Sequence, residues 1–222
     1  IIDIGGESTR PGATSVALDI ELHRTIPVIE ALKKNLDIPL SIDTSSPIVM
    51  AEAITAGVDI INDVRALSTP GAIDVALNSN VAVCLMHMKG EPRTMQKTPQ
   101  YSNVVSEVTE FLRERIAACE RVGDVENRLL IDPGFGFGKT VNHNYQLLKS
   151  LSSFQDLGLP LLVGISRKSM IGAVVNRPAK ERIYGTIAAT TLAISNGASV
   201  IRTHDVAATM DAIRVHCAYR SV

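Results

Sequence analysis

Asp43, Asn62 and Asp132 each stand at the end of an apolar run, in PLSIDTS, IINDVR and LLIDPGFGFG. A buried carboxylate is costly unless it is paired or hydrogen-bonded. Two carboxylates and an amide in one cavity therefore imply a polar ligand with several N–H donors, such as a flat heterocycle carrying an amino group and ring N–H groups. The alternative reading has these side chains capping helices or tying loops. Lys168 lies in Ser166-Arg167-Lys168-Ser169, which follows LLVGI and leads into Met170-Ile171. Adjacent cations at the mouth of a strand, beside the N–H groups of a helix start, favour an anionic or electron-rich ligand. Arg202-Thr203-His204-Asp205 ends the last apolar run. Arginine grips phosphate oxygens bidentately and histidine can hydrogen-bond them, whereas Asp205 reads as the N-cap of the final helix.

The densest motif is Asp132-Pro133-Gly134-Phe135-Gly136-Phe137-Gly138-Lys139. Its glycines permit backbone conformations closed to other residues and a close approach to a ligand. It contains neither a Walker pattern nor GxGxxG. One of Phe135 and Phe137 is expected to wall a planar group and the other to pack in the core. His87, between Met86 and Met88, suits a core histidine and a ligand contact equally; His23, His143 and His216 read as structural or surface residues.

The elements that must position these groups recur along the chain. The runs IIDIGG, PLSIDTS, IINDVR, VCLMHM, LLIDPGFGFG, LLVGISRKS and VIRTHD are short, apolar and bounded by turn residues. They read as strands buried on both faces, as in a parallel sheet, where ligands sit at the carboxyl ends. Between them lie helical patterns. Leu18, Leu22, Ile26, Ile29 and Leu32 share one helical face that Pro27 should bend or break. Pro47 suits a first helical turn and Gly57 a stop. Val105, Val108, Leu112, Ile116 and Cys119 form a second stripe. Further helices are expected after Asn144, after Thr186 and after Asp205, the last turning Ala208, Ala212 and Val215 to the sheet. Two connections, residues 5–16 and 89–100, are longer than usual and read as loops over a site. Strand and helix alternate throughout, so a single α/β domain is expected over residues 1–222, a (β/α)8 TIM barrel in preference to a doubly wound open sheet.

Composition bounds the rest. The 222 residues are 45% hydrophobic and 20% charged, with 22 Lys plus Arg against 23 Asp plus Glu. No global field favours nucleic acid or an anionic membrane, and no apolar stretch approaches the ~20 residues of a membrane span. Cys84, Cys119 and Cys217 lack metal or CxxC spacing and read as structural thiols of a reduced, cytoplasmic protein.

In this order, GGESTRPGA, SIDTS, INDVRALS, CLMHM, DPGFGFGK, GISRKSMIG and RTHD resemble the dihydropteroate synthase family over essentially the whole chain. The resemblance implies a (β/α)8 barrel, a homodimer and a target of sulfonamides. It also implies a transferase that condenses hydroxymethyl-dihydropterin diphosphate with p-aminobenzoate, in folate biosynthesis, and releases diphosphate. It sets the pterin against Asp43, Asn62, Met86, Asp132, Gly164 and Lys168. The diphosphate falls to Arg202 and His204, and p-aminobenzoate to Thr9, Arg10, Pro11, Phe137 and Ser169. Asp132, Lys168, Arg202 and His204 are the residues it charges with catalysis, together with Mg2+.

The family carries a further segment of the form Asn-Val-Thr-Pro-Asp-Ser-Phe-Ser, whose Asn helps bind the metal–diphosphate. Nothing here matches it, and the chain opens inside a strand. The expected barrel is therefore amino-terminally incomplete, lacking its first strand and loop, with the metal ligand in that segment. Two other readings fit less well: a barrel that binds pterin without turnover, and a methyltetrahydrofolate methyltransferase-type domain, whose chemistry has no leaving diphosphate to engage the SRKS and RTHD cations.

Overall fold

A computed structural model of the protein describes residues 1–9 and 12–222. Arg10 and Pro11, expected at the p-aminobenzoate pocket, lie outside the described residues. Seven strands follow the seven apolar runs: β1 (Ile2–Gly5), β2 (Leu40–Asp43), β3 (Ile60–Asp63), β4 (Ala82–Met86), β5 (Leu129–Asp132), β6 (Leu162–Val163) and β7 (Val200–Ile201). Every pairing is parallel and joins consecutive strands. A single bridge, Ile131 to Leu161, connects the five-stranded and two-stranded ladders. A doubly wound sheet must reverse its strand order at a switch point, and this order never reverses. The architecture is a (β/α)8 barrel with seven of its strands present among the described residues.

The helices are α1 (Leu18–Asn35), α2 (Pro47–Ala56), α3 (Ala72–Leu77), α4 (Val104–Glu120), α5 (Val141–Lys149), α6 (Ser169–Val175), α7 (Ile183–Ser195) and α8 (Val206–Arg220). Helix α2 begins as its sequence implies, with Pro47 at the first turn, the Ser46 side chain accepting from the Val49 N–H, and Gly57 left-handed at the stop. Helix α1 runs through Pro27 without a break, one of the two outcomes expected of that proline. An interior proline costs a helix ~3 kcal/mol. Ile29 is fully buried and Leu22, Ile26 and Leu32 pack against the same core, which offsets that cost because each fully buried side chain contributes roughly 1.5–3 kcal/mol. Two helices start earlier than expected: α5 at Val141, where Thr140 and His143 form a capping box, and α7 at Ile183. In α8 Thr209 faces inward, and Val215 is 70% exposed, contrary to expectation. Six residues on, at 100° each, carry Val215 to another side of the helix.

The core lies in two clusters. One packs β1–β4 against α1–α3; the other packs β5 and β6 against α4–α7. Between them they leave the carboxyl ends of the strands to polar side chains.

Candidate active site

Strand register sets the first side chains in place. Asp43 pairs with Asn62 across β2 and β3, and Met86 pairs with Asp132 across β4 and β5. All four are buried. Asp43 Oδ2 meets Arg202 Nη2 at 3.3 Å, while its Oδ1 is a buried acceptor with no protein donor. Burial first, and then the neighbouring Asp3 carboxylate, push the Asp43 pKa up to about 7, against the opposing pull of Arg202. Asp132 is also pushed up by burial, but Lys168, the Gly134 N–H, Lys139 and Arg202 favour its ionised form.

The loop after β5 is built around Asp132. Its Oδ1 accepts from the Gly134 N–H at 2.7 Å, and its backbone carbonyl accepts from the His87 N–H at 2.9 Å. Phe135 is buried in the core and Phe137 is half-exposed, so Phe135 is the packing residue of the two. Lys168 reaches over from the end of β6. It donates to the Phe135 carbonyl at 2.5 Å and sits 4.8 Å from the Phe137 ring centroid, a cation–π arrangement. Burial lowers the Lys168 pKa to about 8, with Asp132 the main opposing influence.

On the far side, Arg202 Nε donates to Asp3 Oδ2 at 2.7 Å. The His204 N–H and ring Nδ1 lie 3.2 and 3.0 Å from Ser166 Oγ. Gly164 faces the Arg202 side chain, with its Cβ direction 3.6 Å from Arg202 Cβ. Asp205 precedes α8 but makes no capping bond through its side chain; its carboxylate instead binds the Arg167 guanidinium, at 3.0 Å from Nε.

A cavity of about 200 Å3 opens between the loops after β1 and β4, and Thr9, Asp43, Thr44 and Arg65 line it. The Gly12 N–H donates to the Pro92 carbonyl at 3.1 Å, so these loops touch across the opening. Ser169 is exposed at the start of α6 and makes no contact with this cavity.

A two-layered site results, with carboxylates and an amide at its floor and cations at its side. The pterin-binding enzyme family matches residues 1–204. The dihydropteroate synthase of Escherichia coli (strain K12) is 51% identical over 215 residues, which cover 97% of this chain and 76% of that protein. The chain belongs to the dihydropteroate synthase family of pterin-binding enzymes. Among solved structures, the Yersinia pestis dihydropteroate synthase with a sulfonamide drug superposes with a TM-score of 0.97 at 48% identity, covering 100% of this chain and 80% of that one. The Burkholderia cenocepacia enzyme complexed with 7,8-dihydropteroate gives 0.93 at 49%, covering 99% and 81%.

Three further observations bear on the residue-by-residue expectations. His87 is a core residue: it is 4% exposed, its Nδ1 lies 2.9 Å from Lys139 Nζ, and burial drives its pKa down to about 2. Cys84 and Cys119 are buried thiols, whereas Cys217 is exposed and packs no core. Asp3 and Lys139 belong to the site's framework although neither ends an apolar run as Asp43 does, and Ser166, which directly follows LLVGI, joins them through His204. For Asp3 the available signal was a carboxylate inside IIDIGG, where an unpaired charge would be prohibitive.

Among the described residues, no three His, Cys, Asp or Glu side chains cluster closely enough to hold a metal ion. The nearest carboxylates, Asp3 and Asp43, are engaged by Arg202. The residues here do not by themselves fit an Mg2+ site.

Proposed function

We propose that this protein condenses hydroxymethyl-7,8-dihydropterin diphosphate with p-aminobenzoate to give dihydropteroate and diphosphate, using the floor and side of this site as distinct subsites. The observation that carries the reading is the grouping of the buried Asp43 and Asp132 carboxylates with Arg202, which contacts the first and favours the ionised form of the second, while His204 stands two residues further along the same strand end. Asp43, Asn62 and Asp132 take the N–H and amino donors of the pterin, with Met86 and Gly164 packing beside it. Lys168 bridges the pterin end and the Phe137 ring, against which p-aminobenzoate lies, with Thr9, Arg10, Pro11 and Ser169 as its remaining partners.

The chemistry follows from where charge develops. The methylene C–O bond breaks with its electron pair going to diphosphate, leaving positive charge on the pterin methylene. Arg202 and His204 stabilise the leaving anion, and the Asp132 carboxylate with the electron-rich ring stabilises the cation. The aryl amine lone pair then forms the C–N bond, and its proton passes to solvent. No covalent enzyme intermediate is required. Mg2+, which the family resemblance implies, would add stabilisation to the leaving diphosphate.

Three further readings accompany this one. The exposed Tyr184, Leu192, Val215 and Tyr219 on the mutually packed α7 and α8 support a homodimer through these helices, which sedimentation would detect. Among the described residues no helix is long and apolar enough to cross a membrane; the three free thiols, two of them buried, support a reducing compartment such as the cytoplasm. The strands that carry the described site residues follow one another in consecutive parallel order, which supports a single domain over residues 1–222. A product assay for dihydropteroate tests the main reading directly; pterin binding without product would favour a non-catalytic pterin-binding barrel.

A further inference from the structure

Lys139 closes the DPGFGFGK motif and is 3% exposed, an unusual burial for a lysine. Its Nζ lies 2.9 Å from His87 Nδ1, 2.8 Å from the Gly134 carbonyl and 3.1 Å from the Phe137 carbonyl. The His87 carbonyl stands further off at 3.5 Å, and the three nearer acceptors match the three N–H groups of an ammonium. With the ammonium donating, the neutral His87 ring holds its own proton on Nε2, and the ring packs T-shaped with Phe111 at 4.9 Å between centroids. One side chain thus ties both ends of the glycine turn to the end of β4.

The turn has been shaped around this contact. Gly134 and Gly138 have φ of +70° and +65°. A Cβ would lie 1.8 Å from the His87 carbonyl oxygen at Gly134, and 2.2 Å from the Lys89 carbonyl oxygen at Gly138. The loop therefore lies directly on the backbone after β4, close enough for the lysine to reach all three acceptors. Its two carbonyl anchors bracket the segment that carries the working groups. Gly134 gives its N–H to Asp132, Phe135 gives its carbonyl to Lys168, and Phe137 presents its ring to the same Lys168.

We propose that Lys139 is a positioning residue for the condensation: its buried amino group clamps the glycine turn onto β4 behind Asp132, setting the direction of that carboxylate and, in its protonated form, favouring the carboxylate's ionisation. The clamp rests on the assignment of Asp132 and Lys168 to the substrates. Electrostatics agree with the geometry. The charged groups facing Asp132 are Lys168 from the end of β6, Lys139 from its own loop and Arg202 from β7, and each favours its ionised form. Cys84 on β4 faces it as a thiol whose own pKa is raised. Lys139 in turn is pushed down by burial and Lys168 and held up by Asp132, and its charge also bears on His87 and His143.

The test compares Lys139→Met, Lys139→Arg and His87→Leu with the parent in steady-state dihydropteroate synthesis across pH, alongside thermal unfolding. Lys139→Met is expected to raise KM for the pterin diphosphate at least tenfold, with a smaller change in kcat, and to move the acid limb of kcat/KM to higher pH. Lys139→Arg should return the acid limb towards the parent. A folded Lys139→Met protein with a lower Tm but parental KM and pH profile overturns the proposal, leaving the lysine a plain structural pin. If Lys139→Met fails to fold, His87→Leu removes one acceptor and spares the ammonium. It should raise KM several-fold with the acid limb in place, and an unchanged KM overturns the clamp. A parent that makes no dihydropteroate removes the functional reading itself and the clamp with it, whereas an active parent with unaltered variants removes the clamp alone.

Discussion

Arg202 is held by Asp3: its Nε donates to Asp3 Oδ2 at 2.7 Å, from the end of β7 to the middle of β1. The same guanidinium reaches Asp43 Oδ2 with Nη2, so two of its three nitrogens are engaged by carboxylates. An anion arriving at this group meets an arginine already fixed in direction. It also competes with Asp43, a carboxylate of the pterin floor, so the anion and heterocycle subsites share a charge.

Removing that arginine should therefore separate two ligands. Arg202→Ala is expected to weaken the pterin diphosphate by roughly 10–100-fold, the worth of a hydrogen bond to a charged group at ~1.5–3 kcal/mol. Free hydroxymethyl-dihydropterin should lose much less. Calorimetry with both ligands checks this, and equal losses would reject Arg202 as the diphosphate contact.

Asp3→Asn should give a milder version of the same phenotype. The side chain keeps its shape and still accepts a hydrogen bond, but the charge that orients Arg202 is gone. KM for the diphosphate substrate should rise several-fold while free pterin affinity stays close to that of the parent. A matching loss for both ligands would show instead that Asp3 supports the pterin floor.

Asp43 makes stability depend on pH in a direction opposite to the common carboxylate. In the unfolded chain it releases its proton near 3.8, and in the folded protein only near 7. Between those values the folded state binds the extra proton, so stability falls as pH rises through the window and the loss is complete above about 7. Unfolding temperatures from pH 4 to 8 should show this decline superimposed on the contributions of other groups, and Asp43→Asn should flatten it. An identical slope in the variant would rule out Asp43 as its source.

Lys168 joins the two organic substrates. Its ammonium donates to the Phe135 carbonyl beside the Phe137 ring, and Asp132 is the main influence keeping it charged. Lys168→Ala should lower affinity for the pterin and p-aminobenzoate together. In the parent, binding that depends on the ammonium should decline as pH passes about 8. Unchanged affinity for both ligands in the variant would reject the bridging role.

The reach of the sequence can be argued from these residues. Asp43, Asn62 and Asp132 were legible because each ends an apolar run, and parallel register then places such ends side by side. Asp3 escaped because it lies within the run, and its partner Arg202 is 199 positions away. Lys139 escaped for a related reason: a lysine after a glycine turn reads as solvated until the close approach of the β4 backbone is known. Val215 misled because a single stripe of apolar residues does not reveal which helix face the rest of the fold covers. β6 and β7 were visible as runs of five or more residues, yet each forms a ladder only two residues long.

A pair of glycines with nearly the same backbone separates conformational strain from loop placement. Gly134 and Gly158 both have φ of +70°, but a Cβ at Gly158 meets nothing within 4 Å, whereas at Gly134 it strikes the His87 carbonyl. Alanine in the left-handed region costs roughly 1–2 kcal/mol by itself. Gly158→Ala should therefore lower stability by about that amount and leave catalysis intact. Gly134→Ala carries the same local cost, and in addition the loop must move off β4 to relieve the overlap. Because the Gly134 N–H holds Asp132 Oδ1 and the Gly134 carbonyl holds Lys139, that movement disturbs the pterin floor and its clamp together. Pterin binding by the folded Gly134→Ala protein should drop at least tenfold. Parental affinity in that variant would show that the turn can shift without carrying Asp132 with it.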